Sequence, residues 1–150
     1  MTPLEQRILS LDVGTKRIGL ALWEPKTRWI TPLDARSRKT LKEDLKFFEH
    51  LLKEKKIEAF LVGLPIGLDG RITKSTENAL FWVGKLKETF GLPVHTYDES
   101  LSTKDALELL KDRSRSEQKQ KKDSVAAALI LEEFMRDRGK LAADFNGAIS

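Results

Sequence analysis

A chain of 150 residues, 40% hydrophobic and 33% charged, fits one soluble globular domain with a real hydrophobic core. With no cysteine and two histidines, His50 and His95, it lacks disulfides, thiolate nucleophiles and Cys-based zinc sites, and it is poorly supplied for a Ser-His triad. Any metal must be held mainly by oxygens, which suits Mg2+ or Mn2+, and the net charge of +4 is too modest to demand a nucleic-acid partner by itself.

The opening Met1 to Gln6 has no secretion signal, and no apolar run approaches the ~20 residues of a membrane span, so the expected address is cytoplasmic, without a membrane partner. Ile8 to Val13 reads as a strand with Leu9, Leu11 and Val13 on one face and Ser10 and Asp12 on the other. Gly14-Thr15-Lys16 is a short turn. Arg17 to Trp23 alternates through Ile18, Leu20 and Leu22 as a second strand. A weaker third strand runs from Arg28 to Leu33 and is cut at Pro32.

A helix follows from about Thr40 to Lys55, with Leu41, Leu45, Phe48 and Leu52 as its apolar stripe. Ala59 to Leu64 is a continuous apolar run ended by Pro65, as expected for a strand buried on both faces. A second helix spans about Thr76 to Phe90 with Leu80, Val83, Leu86 and Phe90 inward, stopped by Gly91 and Pro93. Val94 to Glu99 is a further strand. Ser102 caps a helix that starts at Thr103 and carries Ala106, Leu107 and Leu110.

Between Lys111 and Lys122 stand six basic residues against two acidic ones, either a solvated loop or an arm for phosphates. A last helix runs from Asp123 to Arg138, ended by Gly139. Residues 1–139 thus form one domain, and 140–150 a loosely held tail. A three-strand meander followed by alternating helices and strands implies an α/β fold whose mixed sheet is flanked by helices.

Three acids stand at element ends: Asp12 closes the first strand, Glu99 closes the last, and Asp123 opens the last helix. Sites in α/β sheets gather at strand ends, and converging carboxylates imply a neutralising cation. Each acid also has an ordinary structural reading. Asp12 suits a turn, Asp123 suits a helix N-terminus, and Glu99 suits a surface strand end. Pattern alone does not bring the three together.

Leu11-Asp12-Val13-Gly14-Thr15-Lys16-Arg17-Ile18-Gly19-Leu20-Ala21 resembles the first signature of the YqgF/RuvX family of RuvC-like nucleases. Val62-Gly63-Leu64-Pro65 with Asp69-Gly70 resembles the second, Asp98 to Thr103 the third, and Lys122 to Ala127 the fourth. The four occur in family order across nearly the whole domain. The resemblance implies an RNase H-like fold and a metal-dependent endonuclease in ribosome biogenesis, maturing the 5′ end of the 16S ribosomal RNA precursor. It also implies that Asp12, Glu99 and Asp123 are the catalytic, metal-binding acids. Asp98, on the opposite strand face, ranks below Glu99.

Two departures stand out. The family's third motif usually has Arg after the Glu, where this chain has Ser100; Arg71, Lys74 or the basic linker can supply the phosphate contact. Related junction resolvases carry a further acid where this chain has Ala126, which weakens one metal position and disfavours junction cleavage. Thr15, Lys16 and Arg17 beside Asp12, Ser102 and Thr103 at a helix N-terminus, and Lys121 and Lys122 before Asp123 complete the expected nucleic-acid contacts. Capping and solubility are their ordinary roles. Trp23, Trp29 and Trp82 are expected to pack rather than stack on bases.

Three other functions compete. One is a non-catalytic RNA-binding or ribosome-assembly factor on a nuclease fold. Another is a Holliday junction resolvase acting on branched DNA. The third is an actin-like phosphotransferase, whose first phosphate loop also reads Asp-x-Gly-Thr but which needs a second domain and a second glycine-rich loop. Ribosomal particles are a further expected partner, and no oligomeric state follows from the sequence.

Overall fold

The computed structural model describes residues 2–66, 70–100 and 124–137. Its five-stranded sheet is built from β1 (Ile8–Val13), β2 (Arg17–Glu24), β3 (Trp29–Ser37), β4 (Ala59–Ile66) and β5 (Val94–Ser100) in the order β3-β2-β1-β4-β5. The first three strands form the antiparallel meander. β4 runs parallel to β1, and β5 parallel to β4. α1 (Leu41–Lys55) links β3 to β4, α2 (Lys74–Phe90) links β4 to β5, and a last helix, α3, covers 124–137. No helix among the described residues is long and apolar enough to cross a membrane.

Strict alternation gives each strand two faces, and each face has its own core. Leu9, Leu11, Ile18, Leu20, Phe60 and Val62 pack with Phe48 of α1 and Trp82 and Leu86 of α2. Ile8, Ala21, Trp23, Ala59 and Leu61 pack with Ala127, Ile130, Leu131 and Phe134 of α3. β1 and β4 are thus buried on both sides, which explains the unbroken apolar run of β4. Trp82 is wholly buried and meets Phe48 edge to face with ring centroids 5.6 Å apart. Truncating an aromatic in such a place costs about 3–5 kcal/mol.

Several boundaries differ from the expectation. Pro32 does not cut the third strand: β3 is the sheet edge, where a missing N–H breaks no inner ladder, and Pro32 pairs with Ala21. Pro65 likewise lies inside β4, opposite Glu99. The pairing with β1 extends only to Val62, so Pro65 is paired on one side.

The second helix begins at Lys74, earlier than Thr76. Thr73 caps it by accepting from Thr76 N–H, and Thr76 returns the bond to Thr73 N–H. Its buried residues are Thr76, Ala79, Trp82 and Leu86, with Val83 and Phe90 packed against the same core as expected, while Leu80 is 44% exposed. The segment is apolar on more than one side, and Trp82, the larger group, takes the core. Trp23 packs as expected, donating its indole N–H to Leu4 O at 3.1 Å. Trp29 is 67% exposed.

Candidate active site

β1, β4 and β5 run parallel, so their C-terminal ends share one edge of the sheet. Asp12 is the penultimate residue of β1 and Glu99 the penultimate residue of β5. Parity puts both on the face covered by α3, because Ser10 and Tyr97, two residues earlier on each strand, contact that helix. Ser10 Oγ donates to Ala127 O at 2.9 Å, and the Tyr97 ring meets Phe134 edge to face. Asp98, on the other parity, is exposed, whereas Glu99 is 4% exposed.

Space around the acids comes from glycine. Asp12 pairs with Gly19 of β2. One step beyond the Leu11–Val62 pair, it comes level with Gly63 of β4. Both flanking strands therefore present a residue without a side chain. A β-carbon on Gly63 would stand 3.2 Å from Glu99 Oε2 and 2.6 Å from Ile130 Cδ1. The Glu99 carboxylate thus reaches back along the sheet and lies over Gly63, the strand neighbour of Asp12. A glycine within an apolar strand marks a close approach of this kind.

α3 is pinned above this edge by two buried hydroxyls. The β2–β3 register slips between Ile18 and Leu20, and there Leu20 N–H donates to Ser124 Oγ at 3.1 Å. Ser10 holds the next turn through Ala127. Both serines are fully buried, and each hydroxyl is satisfied by a backbone group across the sheet–helix interface. The first described turn of α3 therefore stands beside β2 next to Gly19, the partner of Asp12. Ala126 is buried.

Thr15 and Lys16 are exposed and Arg17 half-buried in the β1–β2 turn, on the same edge. Arg71 and Lys74 are exposed where α2 begins, after β4 has ended on that edge. α2 packs on the opposite face, so these two side chains belong to the rim rather than to the acid pair. Asp123, Ser102, Thr103, Lys121, Lys122, the basic run and the tail lie outside the described residues. His50 is exposed. His95, at the start of β5, lies 3.1 Å from Gln6 Oε1 through Nε2, at the far end of that strand.

Gly63, Ser10 and Ser124 were not marked as site residues by the sequence. A glycine inside the β4 run and a serine inside the apolar stretch of β1 were the available signals. Tyr97 lies two residues before Glu99. Burial, and then the hydrogen bond it donates to Asp137 Oδ2 at 3.1 Å, push its pKa up to about 12.

The donors at the edge are carboxylate oxygens, a set that fits a hard divalent cation and not a thiophilic one. Among the described residues no group of three or more His, Cys, Asp or Glu is gathered as a metal site. Asp12 and Glu99 offer two such carboxylates on one face of this edge.

A family model described as Holliday junction resolvase, RuvX, matches residues 6–137. A Rhodopirellula baltica protein named "Putative pre-16S rRNA nuclease" is 37% identical over 145 residues, spanning 93% of this chain and 84% of its own length. A Desulforamulus reducens protein of the same name is 36% identical over 136 residues, spanning 89% and 99%. Among solved structures, T. thermophilus RuvC in complex with a Holliday junction substrate superposes with a TM-score of 0.50 at 19% identity, over 87% of this chain and 95% of that one. The fowlpox virus Holliday junction resolvase gives 0.50 at 14% identity, over 87% and 98%. The fold is therefore that of the RuvC-like resolvases, the RNase H-like architecture.

Proposed function

This chain belongs to the RuvX family, and from that membership we propose that it is a metal-dependent endonuclease hydrolysing phosphodiester bonds near the 5′ end of the 16S ribosomal RNA precursor. The observation that carries the reading is the pairing of two carboxylates, Asp12 and Glu99, on one face at one sheet edge around a glycine. Its relatives' name supplies the substrate class, and the enzyme works in the cytoplasm.

Asp12 and Glu99, together with Asp123, the residue that precedes Ser124 in the sequence, would hold Mg2+ or Mn2+. A cation held there would supply neutralisation of the carboxylates and Lewis-acid activation of water. The protein's own part is to fix geometry. β1 and β5 aim the acids from rigid strands, Gly63 leaves them room, and α3 closes the face against bulk water.

The rim supplies charge for the substrate. Lys16 and Arg17 from one side and Arg71 and Lys74 from the other neutralise phosphates flanking the scissile bond, with Thr15 as a hydroxyl donor. Ser102, Thr103, Lys121 and Lys122 are the further phosphate contacts of this reading, taken from the sequence. Ribosomal particles are partners insofar as they present the precursor.

The second reading is a resolvase acting on branched DNA, which the family's own description favours. The residue at position 126 argues the other way: a buried alanine, not a further acid.

The test is cleavage of a labelled precursor fragment in Mn2+, with a four-way DNA junction in parallel, comparing wild type with Asp12→Asn. Cutting of the RNA by wild type alone is expected. Cutting of the junction alone would make the protein a resolvase. Tight RNA binding with no cleavage in either metal would make it an assembly factor.

A further inference from the structure

The chain reverses direction directly after Asp12, and the reversal is tight. Gly14 N–H donates to Arg17 O at 2.9 Å, and a β-carbon on Gly14 would stand 2.7 Å from that same oxygen. Two further bonds hold the turn from outside, and both come from Arg38, the residue after β3. Its backbone N–H donates to Lys16 O at 2.8 Å, and its guanidinium Nη1 donates to Gly14 O, also at 2.8 Å. The guanidinium is itself steadied from beneath: its Cζ stands 5.9 Å from the ring centroid of Trp82, which is wholly buried in the core.

We propose that Arg38 is a positioning residue for the acid site, tying the backbone two residues beyond Asp12 to the hydrophobic core. The inference rests on the nuclease reading of that site. How firmly a strand-end carboxylate is held in place depends on how well the backbone on either side of it is anchored, and on the C-terminal side of Asp12 that backbone is this turn. This turn bears no large apolar group of its own that could anchor it. The planar guanidinium donates to one carbonyl of the turn while lying over an aromatic face, a combination that suits Arg better than other side chains. Displacements of about 1 Å at a reacting group can cost about a hundredfold in rate, so a remote clamp of this kind is felt in catalysis.

The alternative role for a half-buried arginine on this edge is a phosphate contact, and the two roles separate kinetically. A lost phosphate contact weakens substrate binding and raises KM. A loosened turn lowers kcat with KM little changed.

The experiment compares wild type with Arg38→Met, which keeps the stem over Trp82 and removes the donor, and Arg38→Lys, which retains one donor able to reach Gly14 O. For Arg38→Met we expect kcat on the precursor fragment in Mn2+ to fall about tenfold or more with KM within about twofold. The Gly14 amide should exchange with solvent about tenfold faster, and Arg38→Lys should recover much of both. Unchanged kcat in Arg38→Met, or a rise in KM alone, overturns the proposal. An inactive wild type defeats the nuclease reading instead; the clamp is then judged by Gly14 exchange, which supports it if faster in Arg38→Met and overturns it if unchanged.

Discussion

Glu99 Oε2 lies 3.2 Å from the point that a β-carbon on Gly63 would occupy, and Ile130 Cδ1 lies 2.6 Å from the same point. The absent side chain of residue 63 is what allows a buried carboxylate and a helix to meet over one strand. Gly63→Ala is therefore expected to destabilise the protein by about 1–3 kcal/mol through overpacking and to lower cleavage by displacing Glu99. Adding Ile130→Val removes the colliding methyl. Chemical denaturation of the double variant should show stability largely restored while cleavage stays low. Restoration of both would reduce Gly63 to a packing residue.

Divalent cations should stabilise the folded protein through the same carboxylates. A ligand that binds only the native state at a hundred times its Kd adds about 2.7 kcal/mol. Mn2+ and Mg2+ are accordingly expected to raise the thermal midpoint of wild type and to have little effect on Asp12→Asn or Glu99→Gln. Equal metal-induced shifts in all three proteins would place the cation elsewhere.

Ser124→Ala tests how α3 is held. It leaves Leu20 N–H buried without the acceptor now at 3.1 Å, a loss of about 1–3 kcal/mol. Ser10→Ala removes a donor from the Ala127 carbonyl, which α3 can also engage, so about 1 kcal/mol is expected there. Urea titration distinguishes them; a larger loss at Ser10 would contradict the assignment of the critical bond.

The chain has one tyrosine, so its ionisation can be followed without interference. Burial and the bond to Asp137 hold Tyr97 at a pKa of about 12, against about 10 in an unfolded chain. Its folded value is raised, so the native state binds the proton more tightly and this contribution is fully present below pH ~10. It is lost as pH rises from ~10 towards ~12. The phenolate absorbance of the folded protein should have its midpoint near 12 and move down in Asp137→Asn. Tyr97→Phe should remove this part of the alkaline loss of stability. A midpoint near 10 in the native protein would refute the bond to Asp137.

The parity of short strands was the most legible part of the sequence. Leu9, Leu11 and Val13 pointing one way sends Asp12 the other, and the same rule distinguishes the buried Glu99 from the exposed Asp98. Alternation sets which face a residue occupies, whatever lies on that face. What covers the face depends on contacts between distant parts of the chain. Ser124 finds Leu20 across 104 residues, and Gly63 matters only because Glu99 and Ile130 arrive there. In α2 the ambiguity was of another kind: both Leu80 and Trp82 could face inward, and shape complementarity with Phe48 chose the tryptophan.

The bond between Leu20 and Ser124 also bears on when the enzyme is armed. The strand carrying Asp12 is made well before the helix that covers its face, which is the last of the described elements in chain order. While the chain is still being made, the acid face lies bare, without its cover or the segment holding Asp123. The acid face is therefore completed only once α3 has been made and has docked on the sheet through Ser124 and Ser10.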